Sequence, residues 1–175
     1  MTESILPRIQ VLNSLSRKKF QQALRPLFEG GERLAGILFE QLPYASYEEL
    51  LGRAESCCHG MSEEEQLEVV NSHPRLGANR ASLKKVSQRS FVEQGYDKKD
   101  SEQEEKAREE LRRLSEEYEN TFGFRFVIFV DRRSPKELIV ALQQRRTRNR
   151  DVELETATEA VFAIARDRLA TLRPS

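Results

Sequence analysis

The apolar residues of this chain return at intervals of three and four almost from end to end, and that spacing restricts it to helices. Phe20, Leu24 and Leu27 form one such series, Leu34, Ile37 and Leu38 another, and Ala107, Leu111, Leu114 and Tyr118 a third. Each lines one face of a helix, and none fits the alternation of a half-buried strand. The punctuation agrees. Ser46 with Glu49, Ser62 with Glu65 and Ser101 with Glu104 have the spacing of capping boxes, in which serine and glutamate satisfy backbone N–H groups of the first turn. Ser134-Pro135 sets an N-cap before a proline at the first helical position, where its missing N–H would have had no partner anyway. Pro26 should kink or close the first helix, Pro43 bounds the second, and Pro74 stops the helix from Ser62 near His73, because the residue before proline is driven out of α geometry. A last helix is expected from about Asp151 to about Leu172, while residues 75–100 read as less regular. The expectation is all-α: a single compact domain over 1–175 of roughly seven to nine helices.

One segment resists that pattern. Residues 122–130, FGFRFVIFV, have strong strand propensity. A lone strand has nothing to pair with, so a buried extended segment is expected, and its N–H and C=O groups must find partners elsewhere.

Charge narrows the function classes. Lys plus Arg and Asp plus Glu are both 29, so the formal net charge is zero. General affinity for nucleic acid or an anionic membrane would require a basic surplus. No apolar run approaches the roughly 18 residues of a membrane span, and the N-terminal MTESILPRIQVLNSL lacks the features of a secretory signal. A cytoplasmic protein with no membrane or nucleic-acid partner is expected. Cys57 and Cys58 are the only cysteines, and they are adjacent, which rules out a disulfide framework. Cys57-Cys58-His59 has no second ligand pair to complete a structural zinc site, so no metal is expected.

Four features can carry chemistry. His73, held at a helix end by Pro74, offers a proton shuttle near neutral pH; the plain alternative is a structural histidine. Ser90, Glu93 and Gln94 would share one helix face, a hydroxyl, a carboxylate and an amide suited to a ligand rich in N–H and C=O groups, or else a solvent-facing polar turn. The backbone of Phe126, Val127, Ile128, Phe129 and Val130 either faces a ligand or is plain core. Arg145, Arg146, Arg148 and Arg150 can clamp an anion, or simply complement a helix C-terminus. Phosphate loops, dinucleotide fingerprints, metalloprotease helices and nucleophile elbows are missing from the sequence, which leaves acid–base groups and hydrogen bonds as the available chemistry.

Taken in order, these features resemble the 2-oxo-4-hydroxy-4-carboxy-5-ureidoimidazoline (OHCU) decarboxylase family of uric acid degradation, from about Leu12 to about Leu172. His73-Pro74 with Leu76-Gly77, Ser90-x-x-Glu93-Gln94, Tyr118 with Phe122-Gly123-Phe124-x-Phe126-Val127-Ile128, and Arg146-x-x-Asn149 with Glu153, Ala157, Ile164, Arg168 and Leu169 carry the resemblance, together with Phe20 and Phe28-Glu29. It implies an all-α homodimer that turns a small-molecule ureidoimidazoline into S-(+)-allantoin and CO2 without cofactor or metal. It implies His73 and Glu93 as catalytic residues, and Pro74, Ser90, Gln94, the backbone of Phe126 to Val130 and Arg146 as substrate contacts. Some positions depart from the family pattern: Arg75 stands where aspartate is common, Ser115 where asparagine often stands, the stretch after Gln94 is altered, and Asn149 to Glu153 is one residue short. The alternative is an all-α relative that binds the ligand without turnover.

Overall fold

A computed structural model describes residues 6–172, the side chain of Val86 aside. The described residues contain ten helices and no strand, as the apolar spacing requires. They are α1 (Ile9–Asn13), α2 (Arg17–Phe28), α3 (Glu32–Phe39), α4 (Tyr47–Gly60), α5 (Glu63–Asn71), α6 (Arg80–Val86), α7 (Gln88–Glu93), α8 (Glu102–Phe122), α9 (Pro135–Arg145) and α10 (Arg150–Leu172). Ten exceeds the expected seven to nine because α1, α6 and α7 have only 5, 7 and 6 residues. Helices this short show no repeating apolar series. For α6 and α7 the signal is the cap: Asn79 accepts from the N–H groups of Ala81 and Ser82, and Ser87 from that of Ser90.

Capping boxes are complete at Ser62/Glu65, Ser101/Glu104 and Ser134/Glu137. At α4, Ser46 accepts from the Glu49 N–H, but the Glu49 carboxylate reaches one residue further back, to the N–H of Ala45 at 2.7 Å. In the three complete boxes the N-cap N–H holds the glutamate below its ordinary carboxylate range. A group whose folded pKa is lowered contributes stability above its unfolded value and loses it as pH falls through the folded one. Helicity at 222 nm is therefore expected to fall on acidification below about pH 4.5. The variant Glu65→Gln/Glu104→Gln/Glu137→Gln, which keeps the caps but not their titration, should lose part of that sensitivity. An identical acid titration in parent and variant would contradict this origin.

The chain divides into two compact units, Met1–Ser72 with Thr158–Ser175, and His73–Ala157, and α10 contributes to both. In the first unit Phe20, Leu24, Leu27, Leu34, Leu38, Leu50 and Phe162 are buried, Phe28 meets Phe162 edge-on at 6.0 Å, and Arg168 pairs with Glu29 at 2.9 Å. The second unit is built on α8 and α9. Leu111, Leu114 and Tyr118 of α8 and Leu138 and Leu142 of α9 are buried. The Tyr118 ring sits 4.3, 6.0 and 5.1 Å from those of Phe122, Phe124 and Phe126.

Gly123, at φ 80°, ends α8 in the left-handed conformation that glycine adopts without strain. Residues 125–130 then run with neither helix nor strand pairing. Phe124, Phe126 and Val127 are buried, and Ile128, Phe129 and Val130 are half-buried. No helix among the described residues is long and apolar enough to cross a membrane. Cys57 and Cys58 are both free.

Candidate active site

The residues expected to carry catalysis or substrate contact, from His73 to Arg146, all fall within the second unit. His73 opens it, at 4 % exposure. Pro74 follows, and the loop then lies against α8. Arg75 pairs with Glu119 of α8 at 2.7 Å. Gly77, at φ 74°, approaches α8 so closely that a Cβ would stand 2.9 Å from the backbone nitrogen of Arg112. Any other residue would force the loop off the helix.

Two links bring the separated motifs to this loop. The Gly77 N–H donates to Oε1 of Gln94 at 3.1 Å, which joins the loop to the end of α7. The Arg125 guanidinium donates to the His73 carbonyl at 2.7 Å, which joins it to the irregular segment. Ser90 and Glu93 lie on α7, and Gln94 is its C-cap. Ser90 is buried, Glu93 and Gln94 are half-buried, and Val92 between them is exposed. The turn beyond is fixed by Arg108 of α8, which donates to the carbonyls of Gln94 and Gly95 at 2.8 and 3.3 Å and pairs with Asp100 at 2.6 Å. Its guanidinium lies 4.2 Å from the centroid of Tyr96, whose hydroxyl donates to the Ala78 carbonyl.

The irregular segment finds its hydrogen-bond partners in arginines. Arg145 donates to the Val127 carbonyl at 2.7 Å. Arg133 donates to the carbonyls of Phe129 and Val130. Among the described residues, no group of three or more His, Cys, Asp and Glu side chains is placed to hold a metal ion.

Hydrogen bonds thus join the buried His73 and its loop to Gln94 at the end of α7 and to Arg125 of the irregular segment. The family profile of OHCU decarboxylase matches residues 13–170. The chain belongs to the OHCU decarboxylase family.

Among its relatives, the 2-oxo-4-hydroxy-4-carboxy-5-ureidoimidazoline decarboxylase of Haloferax volcanii is 29% identical over 162 residues, covering 93% of this chain and 94% of that protein. The uric acid degradation bifunctional protein of Bacillus sp. strain TB-90 is 27% identical over 93% of this chain, which spans 31% of that longer protein. A crystal structure of OHCU decarboxylase in the presence of (S)-allantoin has the same fold, with a TM-score of 0.65 and 21% identity over 85% of this chain and 95% of that one.

Within this OHCU decarboxylase fold the arginine run divides. Arg146, the expected substrate contact, is exposed at the end of α9, where its guanidinium is 3.8 Å from Glu117. No contact joins it to the His73 loop among the described residues. Arg145 turns inward instead, at 6 % exposure, and pairs with the fully buried Glu153 at 2.9 Å. The Tyr118 hydroxyl also donates to Glu153. Burial and that hydrogen bond push the tyrosine well above its ordinary range. A signal for Arg145 was available: Leu138, Leu142 and Arg145 stand at i, i+4 and i+7, on the face that α9 buries.

Proposed function

We propose that this chain decarboxylates OHCU to (S)-allantoin. The observation that carries the reading is the buried His73 loop, tied by Gln94 to the Ser90–Glu93 helix and by Arg125 to the aromatic segment, in a chain whose family match runs almost its full length.

The reaction sets the demands on these groups. The bond from the ring carbon to the carboxylate breaks and CO2 leaves. The electron pair moves into a ring double bond as the adjacent imine nitrogen accepts charge, so the substrate supplies its own electron sink. The neighbouring carbon, which bears the ureido group, is then protonated on one face, while the ring hydroxyl gives up its proton and becomes the carbonyl of allantoin. The ring nitrogen that accepted the charge takes up a proton as well, so two protons are gained, at carbon and at nitrogen, one is released from the hydroxyl, and the reaction balances as loss of CO2 and net gain of one proton.

His73 is the acid–base group that moves these protons, because a buried imidazole at a fixed loop can present one nitrogen to one face. Glu93 accepts from the ureido N–H groups. Gln94, its oxygen occupied by Gly77, presents its NH2 to a substrate carbonyl, and Ser90 contributes a hydroxyl. Pro74 has no N–H and contacts through its carbonyl. N–H groups between Phe126 and Val130 stabilise negative charge as it develops on the ring. Arg146 is an outer contact for the carboxylate, in competition with Glu117. A weak grip there is appropriate, since tight ground-state binding of a departing carboxylate would oppose its loss. The same reading includes a cytoplasmic homodimer, for which light scattering on the purified protein is the check.

The deciding experiment generates OHCU in situ from urate, with urate oxidase and hydroxyisourate hydrolase, and follows chiral allantoin by circular dichroism. Prompt, single-handed product is expected when the protein is added. Slow racemic product, unchanged by the protein, would overturn the reading and favour a relative that binds without turnover.

A further inference from the structure

The geometry points to Arg145 as a positioning residue for the substrate-facing backbone; this rests on the decarboxylase reading above. Arg145 makes three contacts at once. Nη1 donates to the Val127 carbonyl at 2.7 Å, Nε pairs with Glu153 at 2.9 Å, and the guanidinium carbon lies 4.5 Å from the centroid of the Phe126 ring. Glu153 is itself held by the Tyr118 hydroxyl.

A buried ion pair of this kind is a poor source of stability, because desolvating both charges offsets their attraction. What it does supply is direction. The peptide between Val127 and Ile128 is trans, since the only cis bond among the described residues is Leu42–Pro43. In a trans peptide the C=O and the following N–H point in opposite senses. Fixing the Val127 carbonyl on Arg145 therefore aims the Ile128 N–H directly away from Arg145. Arg133 does the same one step along: it holds the Phe129 carbonyl and so aims the Val130 N–H away from itself. Neither the Ile128 nor the Val130 N–H has a hydrogen-bond partner among the described residues. In an unpaired segment, with no neighbouring strand to set its peptide planes, the two arginines take over that task. Arg145, buried and locked by Glu153, is the stiffer of them. Its planar fork can grip a carbonyl and a carboxylate together, which a lysine ammonium on a flexible stem does not reproduce.

Arg145→Lys is the test, with Glu153→Gln as the second variant. Both keep hydrogen-bonding groups in place, so helicity should persist. With OHCU, kcat should fall about 10- to 100-fold, the range expected for a displacement on the scale of an ångström, with a smaller change in KM and a loss of handedness in the product. Glu153→Gln should move the same quantities in the same direction, to a lesser extent. A readout independent of turnover is the 15N–1H resonance of the Ile128 amide, which should shift in both variants because its peptide plane turns. Parental kcat and product handedness in a folded Arg145→Lys protein would overturn the inference. So would an unmoved Ile128 resonance, whether or not the parent turns over OHCU. A parent inactive on OHCU but showing the resonance shift would sink the reaction and leave the positioning role standing.

Discussion

Replacing His73 by asparagine is expected to lower allantoin formation about 100- to 10,000-fold, the usual contribution of a positioned acid–base group. Asparagine keeps a polar atom near one imidazole nitrogen and cannot shuttle a proton at neutral pH. The fold should survive, because the anchor from Arg125 is to the His73 main-chain carbonyl and not to its ring. The helical circular-dichroism spectrum should therefore match the parent while turnover disappears. Glu93→Ala should behave alike, though with a larger effect on KM if its carboxylate holds the ureido group. His73→Ala is the less clean variant: at 4 % exposure its truncation leaves a cavity, and cavity formation destabilises by itself. Parent-like turnover in a folded His73→Asn protein would remove His73 from the chemistry. The pattern that fits the proposal is loss of rate with retention of (S)-allantoin binding.

How much of this was legible in the sequence depends on the length scale of each signal. The helices that carry a capping box or a long apolar series, α4, α5, α8, α9 and α10, appear where Ser46, Ser62, Ser101, Ser134 and Asp151 place them. Pro26 stands in the last turn of α2, which closes two residues later at Phe28, in line with a proline near a helix end. The stretch 75–100 hides α6 and α7 because one or two turns cannot establish a period, although Asn79 and Ser87 were there to be read as caps. Phe122 is still the last residue of α8 and Gly123 its cap, whereas the extended, unpaired course expected of residues 122–130 holds from 125 to 130. What could not be read was where their carbonyls would go. Hydrogen bonds from Arg133 and Arg145 depend on how α9 is rotated against the segment. The distinction between Arg145 and Arg146 is one residue, or about 100° of helix rotation. Composition treats both as basic residues near a helix end, whereas the apolar phase set by Leu138 and Leu142 separates them.

Glu153→Ala is expected to be the most damaging single change to stability in the second unit. It leaves the Arg145 guanidinium, at 6 % exposure, without its carboxylate, and deprives the buried Tyr118 hydroxyl of its acceptor. Arg148, 3.7 Å from the same carboxylate but half-exposed, can turn to water. Arg145 cannot. Breaking a buried pair by deleting one partner typically costs about 3–5 kcal/mol, which for a chain of this size corresponds to a fall in Tm of roughly 10 °C. Thermal unfolding followed at 222 nm measures it, and a loss below about 1 kcal/mol would mean that the pair is solvated in solution. The double replacement Arg145→Met/Glu153→Leu separates the two things the pair does. Removing both charges and filling their space with apolar atoms should restore most of the lost stability, because no desolvated charge remains. Turnover should not return with it. The Val127 carbonyl would have lost its donor, and no packing interaction sets the direction of a peptide plane as a guanidinium does. A double variant as stable as the parent and as active would make the buried pair ornamental to catalysis; one that is stable and slow would show that this core exchanges stability for the orientation of a few N–H groups.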